Sequence, residues 1–476
     1  VTDWDTLLTT ALIGTGRRTF TLDQLGIDGI KKPAETTAGT GAEAALLTAA
    51  AIAAGYRRAG WTPPVNRGAP TSPAAVDGRP ECSATAAQLL ELLLNRTIRV
   101  VGGTELLTLY WLATARASGQ RPPYRMIVDL LRFGTANTAT RAVVKDVVGP
   151  RGAWLAQHNT PWLWAAAIPP EDIVERFRTG ARAERLVLLT ELRATEPDFA
   201  RTLIEDTWAD EQASTRAGLL DTLHTRLSIQ DEPLLESALD DRASSVRAAA
   251  AALLDRLPTS ARAARMAERA TRHLTVKKRK ITVELPDEPD AAARRDGITD
   301  HREPGHGRAA SWLIQILSAT PLSTWDTELI GKADHEILTG WTKAALRQRN
   351  QVWLAALARH QPAPELLGAL NPATATEILA GQKKLDARFG GLLAATPGPW
   401  PAPFSADLIN RLRSAKAEQV LHLAAPALAE HLHPSALANV EAWLLAIDAT
   451  RTPARTTLRG IAHALTVRAT ILQEFT

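Results

Sequence analysis

The chain has 476 residues, 45% of them hydrophobic and 22% charged, a balance ordinary for soluble globular proteins and far from the disordered and membrane classes. Against 51 Asp and Glu stand 55 Lys and Arg, so a pI of 9.3 conceals a net charge of only +4, not the concentrated cations of a nucleic-acid binder. A single cysteine, Cys82, excludes an internal disulfide framework and any multi-cysteine zinc site.

At about 100 to 200 residues per domain, this length allows two to four packed units and a sizeable core. No run of about 18 apolar residues is present, and no basic segment followed by an apolar one opens the chain. No membrane association is therefore expected, and the location is expected to be cytoplasmic. Val1 fits an alternative bacterial start codon read literally, which makes the N-terminus native in this reading.

Trp4, Leu7, Leu8, Ala11 and Leu12 fall at i, i+3, i+4, i+7 and i+8, which predicts a helix over 2–13 capped by Thr2, with Asp5 in its first turn. The following Gly14-Thr15-Gly16-Arg17-Arg18 offers glycines and cations. A phosphate cradle, however, needs amides at the start of a helix, usually after a strand. Gly14 reads instead as the left-handed residue that ends the helix, leaving Arg17 and Arg18 to meet an acidic group in the fold or on a partner. Further helices are predicted over Ala42–Ala59, 84–95, 104–117 and 171–178, with a Pro- and Gly-rich surface loop at 61–81.

Thirteen tryptophans against three tyrosines predict large core anchors, with a minority free to act as interface hot spots. Trp154, Trp162 and Trp164 crowd a segment that has too many Gly and Pro for one helix and too little polarity for a simple loop. Packing is the first reading there and a binding corner the second.

The clearest internal order lies at 179–257. Segments starting at Thr179, Asp210 and Asp241 align at a constant offset of 31 residues, superposing Arg185, Arg216 and Arg247, and Leu192, Leu223 and Leu254. Such a period marks stacked helical pairs, in which no unit buries its apolar face alone. Asp241-x4-Val246-Arg247 resembles the signature of short HEAT-like repeats. The three arginines read as a ladder, each bridging to a loop carboxylate such as Asp210 or Asp240 while its stem packs. An anion-binding row is the lesser reading, because 181–270 carries a net −4.

Alternation over Leu274 to Leu285 around the basic Lys277 to Lys280 predicts a β-hairpin with a solvated tip. A charged Pro- and Gly-containing linker is expected over 286–308, and helical spacing resumes at Trp312 and runs on through Ile447.

Motifs for chemistry are thin. Gly331-Lys332 lacks the rest of a Walker A loop, Thr339 stands where a zinc-protease helix opened by His335-Glu336 needs its second His, and no Gly-x-Ser-x-Gly occurs. Asp296, Asp300, His301, Glu303 and His306 offer ligands within one loop, and Glu430, His431 and His433 form a smaller group, but neither has a recognisable ligand spacing. Asp287, Glu288 and Asp290, with Pro286 and Pro289 beside them, read as a turn. No metal and no cofactor are expected.

Trp4, Leu7, Leu8, Ala11, Leu12, Gly14, Thr15, Arg17 and Arg18 resemble the N-terminal motif of an uncharacterised bacterial family, a domain of unknown function. Gly149, Arg151, Gly152, Trp154, Leu155, Ala156 and Asn159 match its second motif, and Val246-Arg247 and Pro321-Leu322 with Trp325 agree as well. Members commonly look acidic at Gly16, so the second glycine falls outside the shared pattern. The resemblance implies a helical, HEAT-like protein without assigned activity, encoded beside MoxR-type AAA+ ATPases, von Willebrand factor A domain proteins and SWIM zinc-finger proteins.

The expectation is an all-α chain, an irregular helical solenoid with short HEAT-like repeats and one β-hairpin insert. Its regions would be an N-terminal one (1–170), a HEAT-like array (171–273), a hairpin and linker (274–310) and a C-terminal one (311–476). A non-enzymatic scaffold or adaptor binding a protein partner is the leading function, linked to a MoxR-type ATPase system. The candidate contacts are Arg17, Arg18, Arg151, Trp154, Asn159 and Trp162. Two other classes stay open: a HEAT-like nucleic-acid-binding or base-excision protein, though nucleic acid is not the expected partner, and a metal-dependent enzyme using the 296–306 loop.

Overall fold

Helix α1 (Asp3–Ile13) divides the apolar stripe that produces it: Leu7 is buried, while Leu8 and Leu12, about 100° and about 140° further round the helix, are exposed. The chain is seen here in a computed structural model that describes residues 3–21, 24, 41–59, 72–98, 100–166, 170–278 and 280–476. They fall into two units, Val1–Pro73 and Ala74–Thr476. The expected Thr2 cap and most of the 61–81 loop, Trp61 included, lie outside the described residues.

In the first unit α1 packs on α2 (Ala42–Ala59) through Leu7, Leu46, Ala49 and Ala53, with Trp4 and Phe20 against them. Gly14 ends α1 at φ +94°, its amide donating to Thr10 O at 2.9 Å.

The second unit begins with α3 (Ala84–Leu94), α4 (Thr104–Ser118), α5 (Ile127–Ala136) and α6 (Arg141–Gln157). Their core is built on Leu90, Trp111, Leu130 and Val147, and the Trp111 indole donates to Ala86 O at 2.9 Å. The last helix, Thr452–Phe475, completes this core with Val467, Ile471 and Phe475, the Phe475 ring standing edge-on to Trp111 at 5.1 Å. The chain's end thus packs beside residue 90, a closure that no local spacing encodes.

α7 (Pro170–Thr179), α8 (Arg182–Thr195), α9 (Pro197–Thr207), α10 (Ala213–Thr222), α11 (Glu232–Ala238), α12 (Ser244–Leu254) and α13 (Ala261–His273) follow. The helices carrying the repeated arginines, α8, α10 and α12, pack in sequence, α8 on α10 and α10 on α12. They share a core from Ile173 to Leu257 that includes the repeated Leu192, Leu223 and Leu254.

Strands β1 (Leu274–Lys277) and β2 (Lys280–Val283) form the hairpin, antiparallel with Leu274 opposite Val283. Leu274 is buried, and Ile281 and Val283 lean on the C-terminal core, which fixes one face of an otherwise solvated ribbon. The expected linker over 286–308 is corrected in part. It contains a short helix, α14 (Ala291–Arg295), capped by Asp290, whose side chain accepts from Ala293 N at 2.7 Å.

From Arg308 onward the chain is helical to its end, around a core anchored by Trp312, Trp341, Trp353, Trp400 and Trp443. Among the described residues the architecture is all-α with one two-stranded hairpin. Among the described residues no helix is long and apolar enough to cross a membrane.

Candidate functional site

In the Gly14 to Arg18 segment the amides of Arg17 and Arg18 both donate to Gly14 O, at 3.0 and 3.2 Å, so neither is free to cradle an anion. Thr15 Oγ1 donates to Glu43 at the start of α2, and this bond holds the Glu43 carboxyl below its ordinary pKa. The Arg17 and Arg18 side chains are exposed and make no ion pair among the described residues.

The remaining candidates, Arg151, Trp154, Asn159 and Trp162, lie in the second unit around a break in α6 at Gly149, where φ is +58° and ψ −156°. The conformation has a visible cause. Arg79 donates to the carbonyls of Asp146 and Val147 at 2.9 and 3.0 Å, closing the first half of α6, and Asp77 fixes Arg79 from behind. Beyond the break Arg151 lies over the Tyr124 ring at 4.4 Å, with Arg121 at 4.0 Å on the same ring. Trp154 stands edge-on to His158 at 4.8 Å, and Trp162 is packed against the core of Leu90, Trp111, Leu130 and Val147. Asn159 O accepts from Trp162 N at 2.9 Å, opening a 3-10 turn over Thr160–Ala165. Arg151 and the two tryptophans are thus committed to intramolecular contacts, and the conformation of this segment has a packing cause.

The turn also forms one wall of a cleft of about 510 Å³ at the head of the stacked helices. Thr160, Pro161, Leu163 and Trp164 face α7 and α8, which contribute Arg176, Val187 and Glu191. Arg141 lies over the Trp164 ring at 5.3 Å and donates to Gly134 O at 3.2 Å. Burial pushes the Glu191 carboxyl up, opposed by Lys145 Nζ at 3.4 Å. An aromatic wall with charges of both signs at its rim suits an apolar side chain flanked by charged ones. Arg141 and Glu191 carry no motif in the sequence, and only the fold brings them beside the Trp164 turn.

The ladder forms with partners other than those expected. Arg185 pairs with Glu211, Arg216 grips Asp241 through two bonds of 2.8 and 3.0 Å, and Arg247 donates to the carbonyls of Asp241 and Arg242 at 2.7 and 3.0 Å. Asp240 is instead held by Arg295, and Asp210 makes no ion pair among the described residues. The correction is one of register: Glu211 and Asp241, the residues just after Asp210 and Asp240, meet the arginine of the preceding unit. A second tie, unmarked by the repeat, runs deeper. Arg193, fully buried, meets Asp231 at 3.0 and 2.8 Å and spends its other donors on the carbonyls of Pro197, Thr225 and Arg226.

The loop ligands do not assemble. Asp296, 1% exposed, faces Arg265 and Arg269, Asp300 pairs with Arg294, and Glu303 with Lys343. His306 stacks on His335 at 5.2 Å, beside Glu336. In the smaller group, His431 lies near Glu430 while His433 bonds Ser435. Among the described residues no group of three or more such side chains is placed to hold a metal ion. Burial pushes the Cys82 thiol up to about 11, so it stays protonated near neutral pH.

Burial raises the pKa of Asp296, but Arg265 and Arg269 outweigh it and hold the carboxyl below its ordinary value. A depressed folded-state pKa gives stability that is complete above the unfolded value of about 3.9 and is lost as pH falls through the folded one. The difference in urea midpoint between wild type and Asp296→Asn should therefore be constant above about pH 5 and shrink below about pH 4. A difference that persists unchanged at low pH would show that the charge on Asp296 contributes nothing.

In comparison with known proteins, residues 6–475 match the model of a family described as a family of unknown function (DUF5691). No curated protein and no solved structure matches the chain.

Proposed function

The chain belongs to the DUF5691 family of unknown function, and we propose that it is a non-enzymatic helical-repeat scaffold or adaptor whose protein partner docks in the cleft at the head of the stacked helices. The observation that carries this reading is the cleft itself: Trp164 and Leu163 form an apolar wall, Val187 is 39% exposed beside them, and Arg176 and Glu191 stand at the edges. Stacking of α8, α10 and α12 at a 31-residue offset supports a HEAT-like identity for the array. The row of Arg185, Arg216 and Arg247 is consumed by Glu211, Asp241 and backbone carbonyls, which favours a protein partner over a phosphate backbone.

The partner segment would place an apolar anchor against Trp164, with charged residues on both sides. A MoxR-type AAA+ ATPase, the class implied by the sequence resemblance, is the first partner to test. A photo-crosslinking residue at Ala183, an exposed position lining the cleft, should yield one defined adduct in the source cells. The same residue at Leu445, 86% exposed and outside the cleft, should not. Identical adducts from both positions, or none from Ala183, would overturn the reading.

A further inference from the structure

We infer that a second cavity, walled by α4, by the helix Ala425–His431 and by the last helix, is a binding site for an apolar monocarboxylate, with Arg468 as its anion partner. The cavity measures about 400 Å³, and Leu106, Leu109, Tyr110, Pro399 and Ala464 line it together with Arg468. Small-molecule sites typically run from about 300 to 1,000 Å³, mostly apolar with a few polar groups that orient the ligand.

The argument rests on how this chain treats its buried arginines. Arg193 and Arg262, 0% and 3% exposed, each face an aspartate, Asp231 and Asp255. Arg468 is as deeply buried, at 2%, yet it pairs with no carboxylate among the described residues. Its Nη1 donates to Ala429 O and Leu432 O at 3.2 and 2.7 Å, its guanidinium lies 4.7 Å from the Tyr110 ring centroid, and its Nε has no partner. Carbonyl dipoles at the end of a helix, the Tyr110 ring and the Glu430 carboxylate, which acts on Arg468 without forming an ion pair with it, soften the buried cation but leave it no direct counter-ion. A buried charge of this kind is costly until a counter-ion arrives. Arg468 forms part of the wall of this cavity, and Arg193 and Arg262 do not.

The remaining polar lining narrows the ligand. Glu430 and His431 also line the cavity, with His431 Nε2 3.8 Å from the Glu430 carboxylate. Burial holds His431 towards its neutral form. Glu430 therefore leaves a negative charge that repels phosphate and dicarboxylates, while a single carboxylate can sit on Arg468 with its hydrocarbon against Leu106 and Leu109.

The test uses the full chain with decanoate labelled at its carboxyl carbon, with decan-1-ol and inorganic phosphate as separate arms. Decanoate should bind saturably and at least tenfold more tightly than decan-1-ol, and phosphate should not bind. Arg468→Met should weaken decanoate binding at least tenfold. Ala113→Trp, at an exposed position of the lining, should do the same by filling the space while leaving the contacts of Arg468 to Ala429 and Leu432 intact. Equal affinity for decanoate and decan-1-ol would overturn the proposal, as would unchanged binding in Ala113→Trp, phosphate binding at the same site, or no saturable binding below about 1 mM.

Discussion

Arg193→Met should cost about 3–5 kcal/mol, because it strands Asp231, fully buried, without its counter-charge. Arg201 reaches Asp231 at 3.5 Å, and the Ser228 amide donates to the same carboxylate at 3.0 Å, too little to replace two short guanidinium bonds. Three carbonyls, those of Pro197, Thr225 and Arg226, lose their donor at the same time. The loss should appear as a lower urea midpoint and as faster amide exchange concentrated in α8 to α11. Arg193→Met combined with Asp231→Leu should recover much of it, since removing both charges removes the stranded one. A single-variant cost below about 1 kcal/mol would mean that water or another cation reaches Asp231.

Gly149→Ala should be nearly as damaging, for backbone reasons. A φ of +58° with ψ of −156° is essentially confined to glycine, and strain of that kind costs about 1–3 kcal/mol. The added Cβ would also lie 2.2 Å from Arg79 Nη2 and 2.6 Å from Asp77 Oδ2, displacing the pair that closes the first half of α6. Gly16→Ala is the matched control, because nothing stands within 4 Å of its added Cβ. The first should lower the unfolding midpoint clearly and the second leave it within error; equal effects would remove the break in α6 as a determinant of the fold.

Gly14 shows what a sequence conveys. Gly14 ends α1 because its place after an amphipathic run is a local signal, and the Ala42–Ala59 helix is legible for the same reason. The 31-residue offset likewise places α8, α10 and α12 without any coordinates, since repetition reports stacking directly. Long-range ties are different. Arg193 finds Asp231 38 residues on, Arg79 caps α6 from 67 residues away, and Glu474 binds Ser83 at a separation of 391. No spacing rule marks such pairs, because the fold brings them together and not the chain.

The cleft was legible only in part, for the same reason. The crowding of Trp154, Trp162 and Trp164 pointed to that corner, but the wall is Trp164 with Arg141, while Arg151 and Trp154 are turned to Tyr124 and His158. The Asp296 loop shows the converse. Its carboxylates and histidines look like a ligand set when read in a line, yet each carboxylate has its own partner once Arg265, Arg269, Arg294 and Lys343 arrive from neighbouring segments.

The most direct measurement is the affinity of the partner recovered from the Ala183 crosslink, in purified form, for wild type, Ala183→Trp and Leu445→Glu. Docking in the cleft predicts at least a tenfold loss for Ala183→Trp, about 1.4 kcal/mol, with wild-type affinity retained by Leu445→Glu. Wild-type affinity in Ala183→Trp would contradict it.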